Sequence, residues 1–476
     1  MNFIKSLFLT GWVTLFMSCS TGHRGDRAID QSPKIFPDYK DITVPCNIAP
    51  LNFEVEGAKS LYAEISCDGN VLLSVDGNKE IKISSDEWRE LMTSCAGKEL
   101  KVELSVFDEA NPEGVRYRPF SIFVSKDSID PYIAYRLIEP GYESWQDMKI
   151  CQRRLSGFTE EEILKTDRNG CINCHSFHNY SPENMLIHYR KKGGGTLFVE
   201  GEKLKKIDLK AIASGKQGVY PMWHPSGKYV IFSSNATSQS FYATGKDPIE
   251  VYDSESDLIL YRVDNEKVAT DQRFCGDSLL QTFPAWSPDG KSLYYCVSKK
   301  VKSSDELNKL HYSLCRVGFD AETGTFAEKI DTIIDAEKGM NSISFPRISP
   351  DGRYLLFTRS GFATFPIWHS DSELEMIDLQ TGKFTDTSIL NSKEAESYHS
   401  WSSNGKWVIF SSRRLDGRYT RLFIAHFDGK GRFSRPFLLP QESAEHNIMR
   451  LESYNIPEFI KAPVRLDKKK AMELFK

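Results

Sequence analysis

The stretch Phe283-Pro284-Ala285-Trp286-Ser287-Pro288-Asp289-Gly290-Lys291-Ser292-Leu293-Tyr294-Tyr295 decides the fold, because it recurs. An earlier copy is Tyr220-Pro221-Met222-Trp223-His224-Pro225-Ser226-Gly227-Lys228-Tyr229-Val230-Ile231-Phe232. Later copies are Phe345-Pro346-Arg347-Ile348-Ser349-Pro350-Asp351-Gly352-Arg353-Tyr354-Leu355-Leu356-Phe357 and His399-Ser400-Trp401-Ser402-Ser403-Asn404-Gly405-Lys406-Trp407-Val408-Ile409-Phe410. In each, Pro-Asp-Gly or a close variant forces a tight turn. A run of aromatic and branched aliphatic residues follows, as a buried strand requires. Further strand patterns come after the copies, such as Leu258 to Asp264 and Glu373 to Leu379. Four antiparallel strands per repeated unit predict a β-propeller. The copies lie further apart than the ~40–45 residues of a compact blade, and segments such as Thr237 to Pro248 and Lys299 to Leu307 read as insertions.

This repeat resembles that of the TolB-like propellers and, more distantly, the propellers of prolyl-oligopeptidase-type enzymes. The likeness covers residues 196–460. It implies about six blades, two of them without a readable motif. The chain is also similar to exported bacterial lipoproteins loosely described as cytochrome c biogenesis or TolB-like proteins, which place a C-x-x-C-H segment just before such a propeller.

Here that segment is Cys171-Ile172-Asn173-Cys174-His175. The spacing allows two thioethers to haem vinyl groups, with the next histidine on iron. The expectation is one covalent haem c, held by Cys171, Cys174 and His175 within an α-helical haem segment, residues 127–195. Phe158-Thr159-Glu160-Glu161-Glu162-Ile163 has the capping box and apolar staple of a helix start, and Asn169-Gly170 supplies a stop. Met185 is the first choice for the sixth iron ligand, His188 the next, and an open position or Met148 the remainder. His178 has only about 10 Å of reach. The alternatives are a redox dithiol, which lacks a surrounding βαβ unit, a zinc site, which lacks a well-spaced second pair, or plain cysteines beside a histidine.

With 476 residues and a net charge of −4, the chain is long enough for several domains and too acidic for a general nucleic-acid binder. Lys5 precedes an apolar run, Ser6 to Met17, that is short of the ~20 residues of a membrane-spanning helix. Leu15-Phe16-Met17-Ser18-Cys19 resembles a bacterial lipobox. It implies a signal peptide over 1–18, lipidation of Cys19, a tether over 19–40 and a periplasm-facing lipoprotein, in the outer membrane rather than the inner.

Short alternating strands over 41–126 read as a small β-sandwich, with a turn at Val75 to Asn78 and a capped helical turn at Ser85. Residues 461–476 read as a tail. Of the seven remaining cysteines, pairs Cys67–Cys95 and Cys275–Cys315 could be disulfides. The fold expected is mostly β, a TolB-like propeller preceded by a sandwich and a short helical haem segment.

No G-x-S-x-G, H-E-x-x-H, Walker or Rossmann motif occurs. Gly193-Gly194-Gly195 follows no strand-to-helix pattern, Asp289 and Asp351 read as turn residues, and His224 and His399 as structural. The function expected is therefore electron transfer, with the propeller docking a periplasmic protein partner, and not enzymatic hydrolysis. The alternative is a protein- or glycan-binding scaffold whose haem is structural or sensory. Replacing Cys19 by Ala is expected to move the protein from the membrane to the soluble fraction and abolish fatty-acid labelling; a variant still membrane-bound and labelled contradicts the lipobox.

Overall fold

The computed structural model describes residues 23–139, 147–167, 170–242, 247, 249–269, 271–339 and 341–476. The signal sequence and Cys19 lie outside the described residues. Strands dominate, and six four-stranded antiparallel sheets follow one another along the chain. Five are built from consecutive strands. The sixth takes Glu160–Lys165, Lys149–Arg154 and Tyr132–Ile138 from the start of the ring and Ser453–Ile460 from the C-terminus. That last strand lies beside both Glu396–Trp401 and Cys171–Phe177, so the ring of sheets closes on itself. This is β-propeller architecture.

The repeat motif forms the innermost strand and the turn out of it. Gly227, Gly290, Gly352 and Gly405 all have φ between 66° and 76°, the left-handed region that glycine enters without a side-chain clash. The Gly290 amide donates to Ser287 O at 2.8 Å, and the other copies repeat the bond. Asp289 Oδ1 accepts from Ser287 Oγ at 2.6 Å and Lys291 N at 3.0 Å, so this carboxylate is a turn residue, as read. The motif tryptophans tie neighbouring sheets together. Trp286 Nε1 donates to Met222 O, and Trp401 Nε1 to Arg347 O, each at 3.2 Å.

At the axis each innermost strand carries one extra residue in left-handed conformation. These are Cys174, Tyr220, Phe283, Phe345, Tyr398 and Ile456, with φ from 47° to 55°. Each marks a shift of register against the next strand out, or for Ile456 against Tyr132–Ile138. Such bulges re-aim side chains, and here they converge. The ring centroids of Tyr220 and Phe283 are 4.7 Å apart, those of Phe283 and Phe345 4.1 Å, and those of Phe345 and Tyr398 4.9 Å.

Among its described residues the expected helical haem segment is mainly strand, with a short helical turn at His178–Tyr180. Residues 127–195 are divided between two sheets of the propeller. Glu160–Lys165 is an outer strand against Lys149–Arg154, not a capped helix. Its carboxylates are used sideways: Tyr135 OH donates to Glu160 at 2.6 Å, Arg450 Nη2 at 2.8 Å, and Lys468 pairs with Glu162. Cys171–Phe177 is an innermost strand.

The N-terminal region also differs from an immunoglobulin-like sandwich. It is one seven-stranded sheet with two parallel pairings, beside a two-stranded sheet and the helix Ser85–Ser94. The hairpin turn is at Asp68-Gly69, between Cys67 and Asn70, and Val75 to Asn78 does not join paired strands. Residues 23–40 are packed and not a loose tether, with Tyr39 buried and Arg27–Ala28 paired to Val115–Arg116. Nor is the C-terminus a tail: Phe475 is buried edge-on against Tyr189, centroids 5.0 Å apart. All nine described cysteines are free thiols; the Cys67 thiol lies within hydrogen-bond reach of Cys95, whereas Cys275 faces Leu258 O and Cys315 faces Thr332.

The convergence at the axis makes Phe283 a shared core residue of three sheets. Phe283→Ala is expected to lower unfolding free energy by about 3–5 kcal/mol, read from denaturant midpoints. Parental stability would contradict the packed axis.

Candidate functional site

Aligning the innermost strands by their left-handed residue places Cys174-His175 opposite Tyr220-Pro221, Phe283-Pro284, Phe345-Pro346, Tyr398-His399 and Ile456-Pro457. The C-x-x-C-H therefore sits inside a degenerate copy of the propeller repeat. His178 takes the place of His224, and the Ser181 amide donates to His178 O at 2.9 Å, as Gly227 does to His224. Four repeat copies bring an aromatic to the axis; this one brings a thiol.

In an unbroken strand, residues three apart face opposite sides. The extra residue at Cys174 breaks that alternation. Cys171 lines a cavity of about 380 Å³ at one end of the axis. Cys174 and His175 line a narrow axial space, and Tyr220 and Tyr398 form a wall common to both. Burial pushes the Cys171 thiol up, so it stays protonated in the absence of a partner.

His175 is 3% exposed, and neither ring nitrogen has a hydrogen-bond partner. The Ile456 backbone is near enough to raise its basicity a little, without hydrogen-bond geometry. Burial, aided by Arg136, brings its pKa down to about 3. The ring is thus neutral, the form that ligates metals. His399, in the equivalent place of another sheet, shows the structural version: its Nε2 donates to Leu356 O at 3.0 Å. His224 is structural too, with Nε2 on Gly290 O at 2.9 Å and Nδ1 on Ser226 Oγ at 2.7 Å.

The structure does not bring Met185 to this site. Met185 is fully buried and packs with Ile163, Ile172 and Ile187 in the core between sheets. His188 pairs its Nδ1 with Thr196 Oγ1 at 3.0 Å, and lies near Gly193 to Gly195, away from both axial spaces. The methionine in the cavity wall is Met148. Among the described residues no cluster of three or more His, Cys, Asp or Glu side chains could hold a metal ion. A porphyrin supplies its own nitrogen ligands, so a single protein imidazole suffices there.

Three cavity residues went unread in the sequence: Arg136, Arg190 and Arg413. They are distant in the chain. The one local signal is a cation inside the apolar strand Tyr132–Ile138. The opposite mouth of the axis, about 510 Å³, is lined by Trp223, Trp286, Trp401 and Tyr180.

No protein-family model and no curated protein sequence matches the chain. Among solved structures it is similar to TolB from Acinetobacter baumannii at 13% identity, over 79% of this chain and 85% of that one, TM-score 0.43. It is similar to the periplasmic gluconolactonase PpgL of Pseudomonas aeruginosa at 12% identity, over 85% and 100%, TM-score 0.39. The β-propeller domain of the Trilobed protease from Pyrococcus furiosus matches at 15% identity, over 79% and 98%, TM-score 0.34. The propeller assignment itself rests on the closed ring of sheets.

The buried imidazoles make stability depend on pH. His175, His188 and His399 all have pKa values of about 3, against about 6.5 in an unfolded chain. The unfolded state therefore binds more protons between these limits. Stability is full above about pH 6.5 and falls as pH drops toward 3. Each group contributes a slope of about 1.4 kcal/mol per pH unit. Denaturant titrations of His188→Asn should show a shallower acid slope than the parent; equal slopes would contradict the assignment.

Proposed function

We propose that the chain is an exported haem-c protein in which the propeller axis houses one covalent haem. On this reading Cys171 and Cys174 would carry the thioethers, His175 would ligate the iron, and the six four-stranded sheets are six blades. The observation that supports it is one strand holding two thiols free of disulfides and an imidazole with neither ring nitrogen in a hydrogen bond, Cys171 lining the larger cavity and Cys174 and His175 the narrow axial space beside it. Bound haem supplies one-electron chemistry. The chain's own residues do the rest. The bulge at Cys174 turns the second thiol to the axis, burial keeps His175 neutral, and Ile249, Val251 and Trp368 give the cavity an apolar wall. Met148, in that wall, would be the thioether available to such a group in place of Met185, which is buried between sheets.

Anchoring through Cys19 and a periplasmic partner for electron transfer belong to the same proposal. A second reading, a protein- or glycan-binding scaffold with a structural or sensory haem, is favoured by the aromatic lining of the opposite mouth.

The test is production in a bacterial strain that matures cytochromes c, followed by a haem stain on the denatured chain. One haem per chain is expected, lost in Cys171→Ala/Cys174→Ala. A haem-free parental protein overturns the proposal.

A further inference from the structure

The mouth opposite Cys171 is built on the same register as the axis. The residues two places after each left-handed position are Ser176, Met222, Ala285, Arg347, Ser400 and Glu458, one from each sheet in ring order. All six line the mouth, which holds about 510 Å³. One place further on stand Phe177, Trp223, Trp286, Ile348, Trp401 and Phe459, again one per sheet, as an apolar collar. The ring beneath the collar has two halves. Met222 and Ala285 form an apolar half, and Arg347, Ser400, Glu458 and Ser176 follow one another around the polar half.

Arg347 and Glu458 are partly buried and stand two sheets apart. Each feels the other's charge, yet they form no ion pair. Arg347 Nη1 donates to Pro346 O at 3.2 Å. Ser400, between them, spends its hydroxyl proton on Pro457 O at 2.6 Å and does not bridge the gap. Burial brings the Glu458 pKa up to about 7 against the pull of Arg347, so a guanidinium at this distance compensates the carboxylate only in part. The third charged lining residue, Lys461, has its Nζ over the Tyr180 ring, 5.6 Å from the centre.

A cation and an anion held apart on one wall, with apolar surface opposite and above, complement a guest that carries both charges close together on an apolar body. A guanidinium takes a carboxylate through two parallel bonds, and a carboxylate accepts from an ammonium. A guest with one charge would satisfy one of the two groups and leave the other as it is. The collar limits water, which strengthens both interactions.

We infer that this mouth is a binding site for a free α-amino acid with an apolar side chain. The guest's carboxylate lies on Arg347, its ammonium on Glu458, and its side chain against Met222, Ala285 and the tryptophan collar. Within a peptide the two charges sit at opposite ends of the chain, so a peptide residue does not satisfy both groups. The site lies at the other end of the axis from Cys171 and needs no haem.

Full-length protein titrated with L-phenylalanine and with L-leucine, by calorimetry and by tryptophan fluorescence, tests this. Saturable binding is expected for both. 2-Phenylethylamine, which lacks the carboxylate, and 3-phenylpropionate, which lacks the amine, are each expected to bind at least about tenfold more weakly than L-phenylalanine. So are N-acetyl-L-phenylalanine and L-phenylalaninamide. No binding of either amino acid up to about 10 mM, or binding of the single-charge analogues equal to that of L-phenylalanine, overturns the site. Arg347→Gln and Glu458→Gln should each weaken L-phenylalanine binding at least about tenfold, and a folded variant that binds like the parent also overturns it. The analogue series uses the parental chain and decides the matter even where a variant does not fold.

Discussion

The structure depends on a single backbone constraint repeated around the axis. Every innermost strand must fit one extra residue in left-handed conformation, and all six do so at the same level. A non-glycine residue pays steric strain there, so the surrounding packing has to hold it. Four of the six positions are aromatic, and their rings close the axis at centroid separations between 4.1 and 4.9 Å along the series Tyr220, Phe283, Phe345 and Tyr398. Ile456 comes from the C-terminal strand that closes the ring. The sixth position is Cys174. There the strand brings a thiol to the narrow axial space, where four other strands bring a ring, with Tyr220 and Tyr398 between it and the cavity at Cys171.

That view changes what the C-x-x-C-H is. Read alone, it is a self-contained segment that should carry its own helix. In the molecule, its second cysteine and its histidine occupy the two positions that four other sheets fill with an aromatic or aliphatic residue and proline. The motif has no fold of its own because the propeller supplies one. His399 shows that a histidine can stand in the proline position for purely structural reasons, with its Nε2 on a backbone carbonyl. His175 occupies the same place without any such bond. Both rings are buried beside a backbone group, Ile456 for His175 and Leu356 for His399, and they differ in the geometry of that approach.

Much of the fold was legible. Four copies of an aromatic-Pro or aromatic-His step with a glycine turn identified the propeller, and the turn carboxylates and His224 behave as their sequence context implied. The remaining two sheets were illegible because their copies lack the turn signature: Cys174-His175-Ser176-Phe177 and Ile456-Pro457-Glu458-Phe459 keep only the backbone conformation. The helix expected from Thr159 failed because tertiary context overrode local propensity. Glu160 and Glu162 face Arg450 and Lys468, contacts that come from 290 and 306 residues away along the chain. The Asp68-Gly69 hairpin, by contrast, was a local signal passed over. Within the site, the thiols and His175 were readable from spacing. Met185 was chosen on chain reach alone, which ignores the direction of its strand face, and the three arginines converge only through the closed ring.

The central claim is that the propeller axis is a haem site built on the sheet whose repeat is degenerate. The most direct measurement is iron-edge anomalous diffraction from crystals of protein produced with cytochrome c maturation. A single peak in the axial cavity beside His175 is predicted. No peak, or a peak away from the strand Cys171–Phe177, would contradict the account.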